Sequence, residues 1–248
     1  MENNILIYIA CYWFSSVITS FIGLAVDRLP HQMKWRDDPI PDLSVCSPPS
    51  RCDHCQTRIK WYYLIPVFGY FLSKGCCRSC GTKIPVIYPL TEFIGGTGSV
   101  VLIMVYGINP EGFILVALYL ILIFLTLIDI KETWLPFVVT IPLFWCGLLF
   151  SPFEPDDYSR ILGACSGFLL FWLSMALVSY MCKEDLIAGG DIVFSAAVGA
   201  WIGMERLPLF ILCSSLLFIF YALPWRLKGI RCLPMGPAIS VGFFICLL

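Results

Sequence analysis

The 248-residue chain carries a formal net charge of −1, and 59% of its residues are hydrophobic against 13% charged. A mean hydropathy of +0.84 leaves too little polar surface for a soluble globule, so the composition points to a chain solvated by a lipid bilayer. The net charge by itself says nothing about nucleic acid, and no basic patch interleaved with aromatics suggests such a partner, so none is expected.

A helix crossing the hydrocarbon core needs about 20 mainly apolar residues. In chain order, candidate spans run over 4–26, 85–106, 112–128, 135–150, 161–181, 190–203, 207–223 and 232–248, the sixth being short. Unpaired backbone groups are costly in hydrocarbon, so the expected fold is an all-α bundle of about eight transmembrane helices. No basic residue precedes the first span, which therefore reads as a retained anchor rather than a cleaved signal. No low-complexity tract and no internal repeat is evident by eye.

Orientation follows from the basic residues. The segment 27–84 holds Arg28, Lys34, Arg36, Arg51, Arg58, Lys60, Lys74, Arg78 and Lys83. Placing it in the cytoplasm also puts Lys131, Lys183, Arg226, Lys228 and Arg231 inside. Only Arg160 and Arg206 remain outside, near Glu154, Asp156, Asp157 and Glu205. The positive-inside rule then predicts a periplasmic N-terminus.

The same segment holds Cys52-Asp53-His54-Cys55 and Cys77-Arg78-Ser79-Cys80. Two such knuckles present four thiolates at the spacing that holds a structural Zn²⁺, and a reducing cytoplasm disfavours disulfides. A closed site of this kind contributes on the order of 10 kcal/mol to folding a loop too small for its own core. Inert cysteines are the competing reading. Cys46, Cys76 and His54 are nearby alternatives as ligands, whereas Cys11, Cys146, Cys165, Cys213 and Cys246 lie in spans and read as small apolar packing residues.

Asp129 ends the uncharged run 112–128, and Asp191 follows Ala188-Gly189-Gly190 to open another apolar stretch. The orientation reading puts both at the cytoplasmic boundary, where an acid in a span is a candidate functional residue. Two carboxylates sharing one proton hydrolyse an amide without a metal: one activates water while the other protonates the carbonyl. They act as a coupled unit, so neither is assigned as acid or base. Gly189 and Gly190 either admit a substrate backbone close to Asp191 or serve helix packing. A proton relay or ion site is a further alternative for the pair, and a polar helix edge for Asp129 alone.

These residues sit within wider motifs. Ser20-Phe21 and Arg28-Leu29-Pro30 close the first span. Trp61-Tyr62, Ile65-Pro66, Tyr88-Pro89-Leu90 and Glu92 accompany the knuckles. Ile128-Asp129 with Leu135-Pro136, Lys183-Glu184 with Gly190-Asp191, Gly199-Ala200-Trp201 and Pro234-Met235-Gly236-Pro237 follow. Together they resemble the bacterial type IV prepilin peptidases, intramembrane aspartyl proteases of the GxGD type, nearly end to end. Departures are Gly23 where Asn is usual, Ala188 for the first motif glycine, Lys131 for a common acid, and Phe137 for the acid that often follows Leu-Pro.

The resemblance implies an inner-membrane endopeptidase with Asp129 and Asp191 as catalytic residues. It implies cleavage of a basic leader from type IV prepilins or type II secretion pseudopilins, followed by S-adenosylmethionine-dependent N-methylation. The chain then divides into a first transmembrane helix (1–26), a cytoplasmic zinc-knuckle loop (27–84, ligands Cys52, Cys55, Cys77 and Cys80) and a membrane-embedded peptidase core (85–248). No Rossmann fingerprint supports methyl transfer, and Gly95-Gly96-Thr97-Gly98 reads as span packing. A same-mechanism protease without methyltransferase activity is the first alternative; a transporter or scaffold with a zinc knuckle is the second.

Overall fold

The computed structural model describes residues 2–41, 43–183, 187–229 and 233–248. Glu184 of the second aspartate motif lies outside the described residues, as do Arg231 of the preceding loop and Cys232, the first residue of the last expected span. Regular structure among the described residues is helical: α1 (Glu2–Gln32), a 3₁₀ turn (Trp61–Leu64), α2 (Phe68–Leu72), α3 (Ile87–Tyr106), α4 (Pro110–Glu132), α5 (Phe137–Phe150), α6 (Asp157–Cys182), α7 (Gly189–Leu227) and α8 (Gly236–Leu247). Strand pairing is confined to two isolated bridges, Arg51 with Arg58 and Cys76 with Lys83.

Among the described residues, five helices are long and apolar enough to cross a membrane, and α5 and α8 are shorter apolar helices. The chain forms two compact units, residues 1–124 and 125–248. Within the first, α1 packs on α3, and small residues set the approach: Gly95 lies against Thr19, and Gly96 against Ser16 and Tyr12. Gly95-Gly96 is thus a packing surface, as in many membrane helix pairs. The α1 helix runs six residues past the apolar stretch, because charge ends a span without ending helical hydrogen bonding. There buried Arg28 donates to the carbonyls of Pro48 at 2.6 Å and Ser44 at 3.3 Å.

In the second unit, α7 packs on α6, α5 and α8. Asp156 caps α6, accepting the Tyr158 and Ser159 N–H groups at 3.1 and 3.2 Å, the usual service of an acid at a helix start. The spans expected at 190–203 and 207–223 are both found in α7, which is interrupted at Gly203 (φ 72°, ψ −177°), in the region open to glycine. Up to that point α7 runs antiparallel to α6. Ser195 Oγ donates to the Gly167 carbonyl at 3.2 Å, Gly199 abuts Gly163, and the Met204 N–H reaches Ser159 Oγ at 3.1 Å. Phe210 then stacks on Phe171, centroids 6.2 Å apart, so the chain has turned back. The arms of this hairpin, with α1, α3, α4, α5, α6 and α8, supply the eight apolar segments.

Trp201 locks the first arm to α5, its Nε1–H donating to the Leu143 carbonyl at 2.9 Å, with its ring filling the space beside Gly147. A Cβ at Gly199 would meet the Gly163 backbone, which cannot yield as a side chain would. Gly199→Leu is expected to destabilise the protein by about 1–3 kcal/mol or more, read as a lower unfolding temperature and a lower folded yield in detergent.

Candidate active site and metal centre

Cys52, Cys55, Cys77 and Cys80 come together in the first unit, their sulfurs all within 4.8 Å of one another. Two pairs stand at 3.8 Å, Cys52 with Cys80 and Cys55 with Cys77. Four sulfurs at about 2.3 Å from a tetrahedral zinc would be about 3.8 Å apart, so the set fits that ion. Cys46, Cys76 and His54 are not part of this cluster.

The knuckles are built alike. The Cys52 N–H donates to Thr57 O at 3.0 Å and the Cys77 N–H to Thr82 O at 2.8 Å; Gln56 N–H returns to Cys52 O at 2.8 Å and Gly81 N–H to Cys77 O at 2.9 Å. Gln56 and Gly81 share a positive φ, 56° and 75°. Cys-x-x-Cys-x-Thr-basic-Ile therefore occurs twice, at Cys52–Ile59 and Cys77–Ile84. This corrects the expectation of no internal repeat: the copies are too short and too diverged to stand out until the matching hydrogen bonds align them.

Hydrogen bonds favour the ionised form of three sulfurs. The Thr57 hydroxyl beside Cys55, the Cys80 and Ser79 backbone N–H groups beside Cys77, and the Thr82 hydroxyl beside Cys80 hold these thiols below their usual value. Cys52 has the Cys55 and His54 N–H groups in its favour, yet desolvation and the neighbouring sulfurs push it up to about 11. A divalent cation removes that conflict, since a coordinated thiol ionises outright.

The second unit holds the carboxylates. Asp129 lies in the last turn of α4 and is 2% exposed. Its Oδ2 accepts the Gly236 N–H at 2.6 Å, and a Cβ at Gly236 would stand 2.7 Å from that oxygen. Asp191 lies in the first turn of α7, beyond Ala188, whose carbonyl accepts the Ile192 N–H at 3.3 Å. The two aspartates are close enough to interact electrostatically, and Tyr221 on the second arm of α7 lies within electrostatic reach of both. Among the described residues, Asp191 Oδ1 and the Tyr221 hydroxyl are buried without a hydrogen-bond partner, unusual for polar atoms.

The glycines before Asp191 pack against the chain itself. A Cβ at Gly190 would stand 2.7 Å from the Leu135 carbonyl, and one at Gly189 would stand 3.2 Å from the Phe137 ring. Of the two sequence readings, helix packing accounts for both positions: they seat α7 on the Leu135-Pro136 turn and so aim Asp191. Ala188, by contrast, is the helix N-cap residue. Sequence reasoning noted Pro234-Met235-Gly236-Pro237 without a task and passed over Tyr221. A glycine between prolines marks a backbone N–H brought against something; nothing near Tyr221 in the sequence sets it apart.

Comparison with known proteins follows this division. The family described as the bacterial peptidase A24 N-terminal domain matches residues 13–106, and the type IV leader peptidase family matches residues 116–223. A prepilin leader peptidase/N-methyltransferase of Neisseria gonorrhoeae is 33% identical over 92% of this chain and 86% of its own. One of Vibrio cholerae is 30% identical over 93% of this chain and 92% of its own. An Escherichia coli type 4 prepilin-like proteins leader peptide-processing enzyme is 29% identical over 91% and 88%. No solved structure matches at the same level of significance. With relatives this similar along nearly the whole length, and a matching domain on either side of α4's first turns, the chain belongs to the type IV leader peptidase family.

Proposed function

We propose that the chain is a membrane-embedded aspartyl endopeptidase that removes the leader of type IV prepilins or pseudopilins and then methylates the new N-terminus. The observation that carries the catalytic assignment is the meeting of Asp129 and Asp191, delivered by the end of α4 and the start of α7. Two carboxyl groups within electrostatic reach of each other favour a state in which one is ionised and one protonated. The ionised member takes a proton from water as it attacks the scissile carbonyl, and the protonated member donates to the carbonyl oxygen. The proton then passes to the leaving amine. The Gly236 N–H holds Asp129 in place, and the unpartnered Asp191 Oδ1 is free to accept from water.

Positive-inside asymmetry supports a multi-pass inner-membrane chain with a periplasmic N-terminus and the carboxylates at the cytoplasmic face. A basic leader would then lie in the cytoplasm while the apolar helix behind it enters the bilayer. The division into 1–26, 27–84 and 85–248 belongs to the same reading. Cys52, Cys55, Cys77 and Cys80 would hold zinc, which would tie the two knuckles into one unit. The methyl donor, S-adenosylmethionine, follows from the methyltransferase half of the relatives' names, and no residue is assigned to it.

Asp129→Asn and Asp191→Asn are each expected to cut leader removal by roughly 10²- to 10⁴-fold in a prepilin processing assay while the protein stays folded and inserted; full processing by either variant rejects the pair. Metal analysis of the purified chain is expected to find one zinc per molecule. Cys52→Ser or Cys77→Ser should lower both zinc content and folded yield, and a wild-type chain devoid of zinc would refute the cluster. Intact mass of the product after co-expression with a prepilin is expected to exceed the cleaved form by about 14 Da, one methyl group as a covalent modification. A product at the unmodified mass identifies a peptidase without the second activity.

A further inference from the structure

Between Lys60 and Ser73 the loop holds Trp61-Tyr62-Tyr63-Leu64-Ile65-Pro66-Val67-Phe68-Gly69-Tyr70-Phe71-Leu72, a run of twelve residues without a charge. That is too short to cross a bilayer and is the length of a re-entrant or interfacial segment. It folds as a closed hairpin, the 3₁₀ turn and α2 pressed together so tightly that Gly69 lies against the Tyr63 carbonyl. Its outer face is apolar and open: Trp61 is 76% exposed, Phe71 69%, Phe68 54% and Leu72 53%.

The depth of this hairpin follows from its contacts. The α3 helix has 20 residues, so crossing a hydrocarbon core of about 30 Å uses all of it and sets one boundary near Ile87. Tyr88 packs beside Gly23 of α1. The Phe68 ring stacks on Trp13 with centroids 5.6 Å apart, and about 15 Å of helix rise separates Gly23 from Trp13. Side chains on a helix lean toward its N-terminus, which carries the Trp13 ring further from that boundary. On the inner side Val67, at φ 62°, donates its N–H to Glu92 Oε2 at 2.6 Å.

We propose that residues 61–72 form a re-entrant wedge buried in the acyl region of the bilayer, continuous with the lipid-facing surface of α1. Three features support lipid as the occupant. Phe14, Val17 and Phe21 of α1 are themselves exposed, so the hairpin extends an existing lipid face. Lys60 and Lys74 stand at its two ends, where ammonium groups meet lipid phosphates. Non-helical backbone at membrane depth must be satisfied within the protein. Several of its groups are: Tyr63 N–H donates to Lys60 O, Phe68 N–H to Pro66 O, Gly69 N–H to Ile65 O and Ser73 N–H to Gly69 O, while Glu92 takes the Val67 N–H. Glu92 is thus a positioning residue for the wedge.

The test places a photoreactive p-benzoyl-phenylalanine at Phe71, and separately at Leu72, in the full chain reconstituted into phosphatidylcholine/phosphatidylglycerol vesicles. Arg58, exposed on the first knuckle, is the control position. After irradiation, mass spectrometry is expected to find the label joined to lipid acyl chains at 71 and 72, with at least a several-fold excess over position 58. Equal yields at all three positions, adducts to headgroups alone, or cross-links to a second protein chain would each overturn the proposal. The readout needs no substrate and no activity, so it can fail while the peptidase reading stands. A wild-type elution profile and unfolding temperature in detergent verify that each labelled chain is folded.

Discussion

A carboxylate at the end of an apolar span needs a donor, and Asp129 takes one from the backbone. The Gly236 N–H at 2.6 Å supplies a hydrogen bond that water would otherwise provide, and a buried acceptor left without one costs several kcal/mol. That bond requires the start of α8 to touch the end of α4, with no side chain in the way. Gly190 does the corresponding work for Asp191, letting α7 settle on the Leu135 carbonyl. The pair is assembled by backbones in close contact, with glycine wherever a Cβ would hold them apart.

The same economy of polar groups shapes the first unit. Glu92 accepts the Val67 N–H at the turn. Arg28, 8% exposed, is satisfied by the loop carbonyls of Ser44 and Pro48, which staples the end of α1 to the chain leading into the knuckles. The sulfur cluster of this unit is a polar assembly that hydrogen bonds alone do not complete. Four thiols gathered within 4.8 Å repel as they ionise, and a bound cation reverses the balance.

Much of the architecture was legible because the bilayer simplifies the code. Apolar runs of the right length become helices when no other backbone arrangement is affordable, and the span ends agree with the helices to within a few residues except where α1 continues to Gln32. The spacing of Cys52, Cys55, Cys77 and Cys80 was equally readable, because a tetrahedral site asks for two thiolates from each of two tight turns. The knuckle repeat was not, since its copies share turn geometry more than residues. The wedge at 61–72 also escaped notice: a search for runs long enough to span passes over a shorter one, and only the stacking of Phe68 on Trp13 gives it a depth.

Composition and charge placement alone therefore determined the solvent, the helical class, the number of apolar segments and the residue types able to do chemistry, because each depends on local sequence and an apolar surrounding. Tertiary structure decided which of those residues meet. That α7 doubles back at Gly203, that the Gly236 N–H meets Asp129, and that Tyr221 lies within electrostatic reach of both carboxylates depend on how helices distant in sequence seat against one another. Such contacts are set by the fit of surfaces between helices, which a linear pattern of apolar and polar residues does not encode.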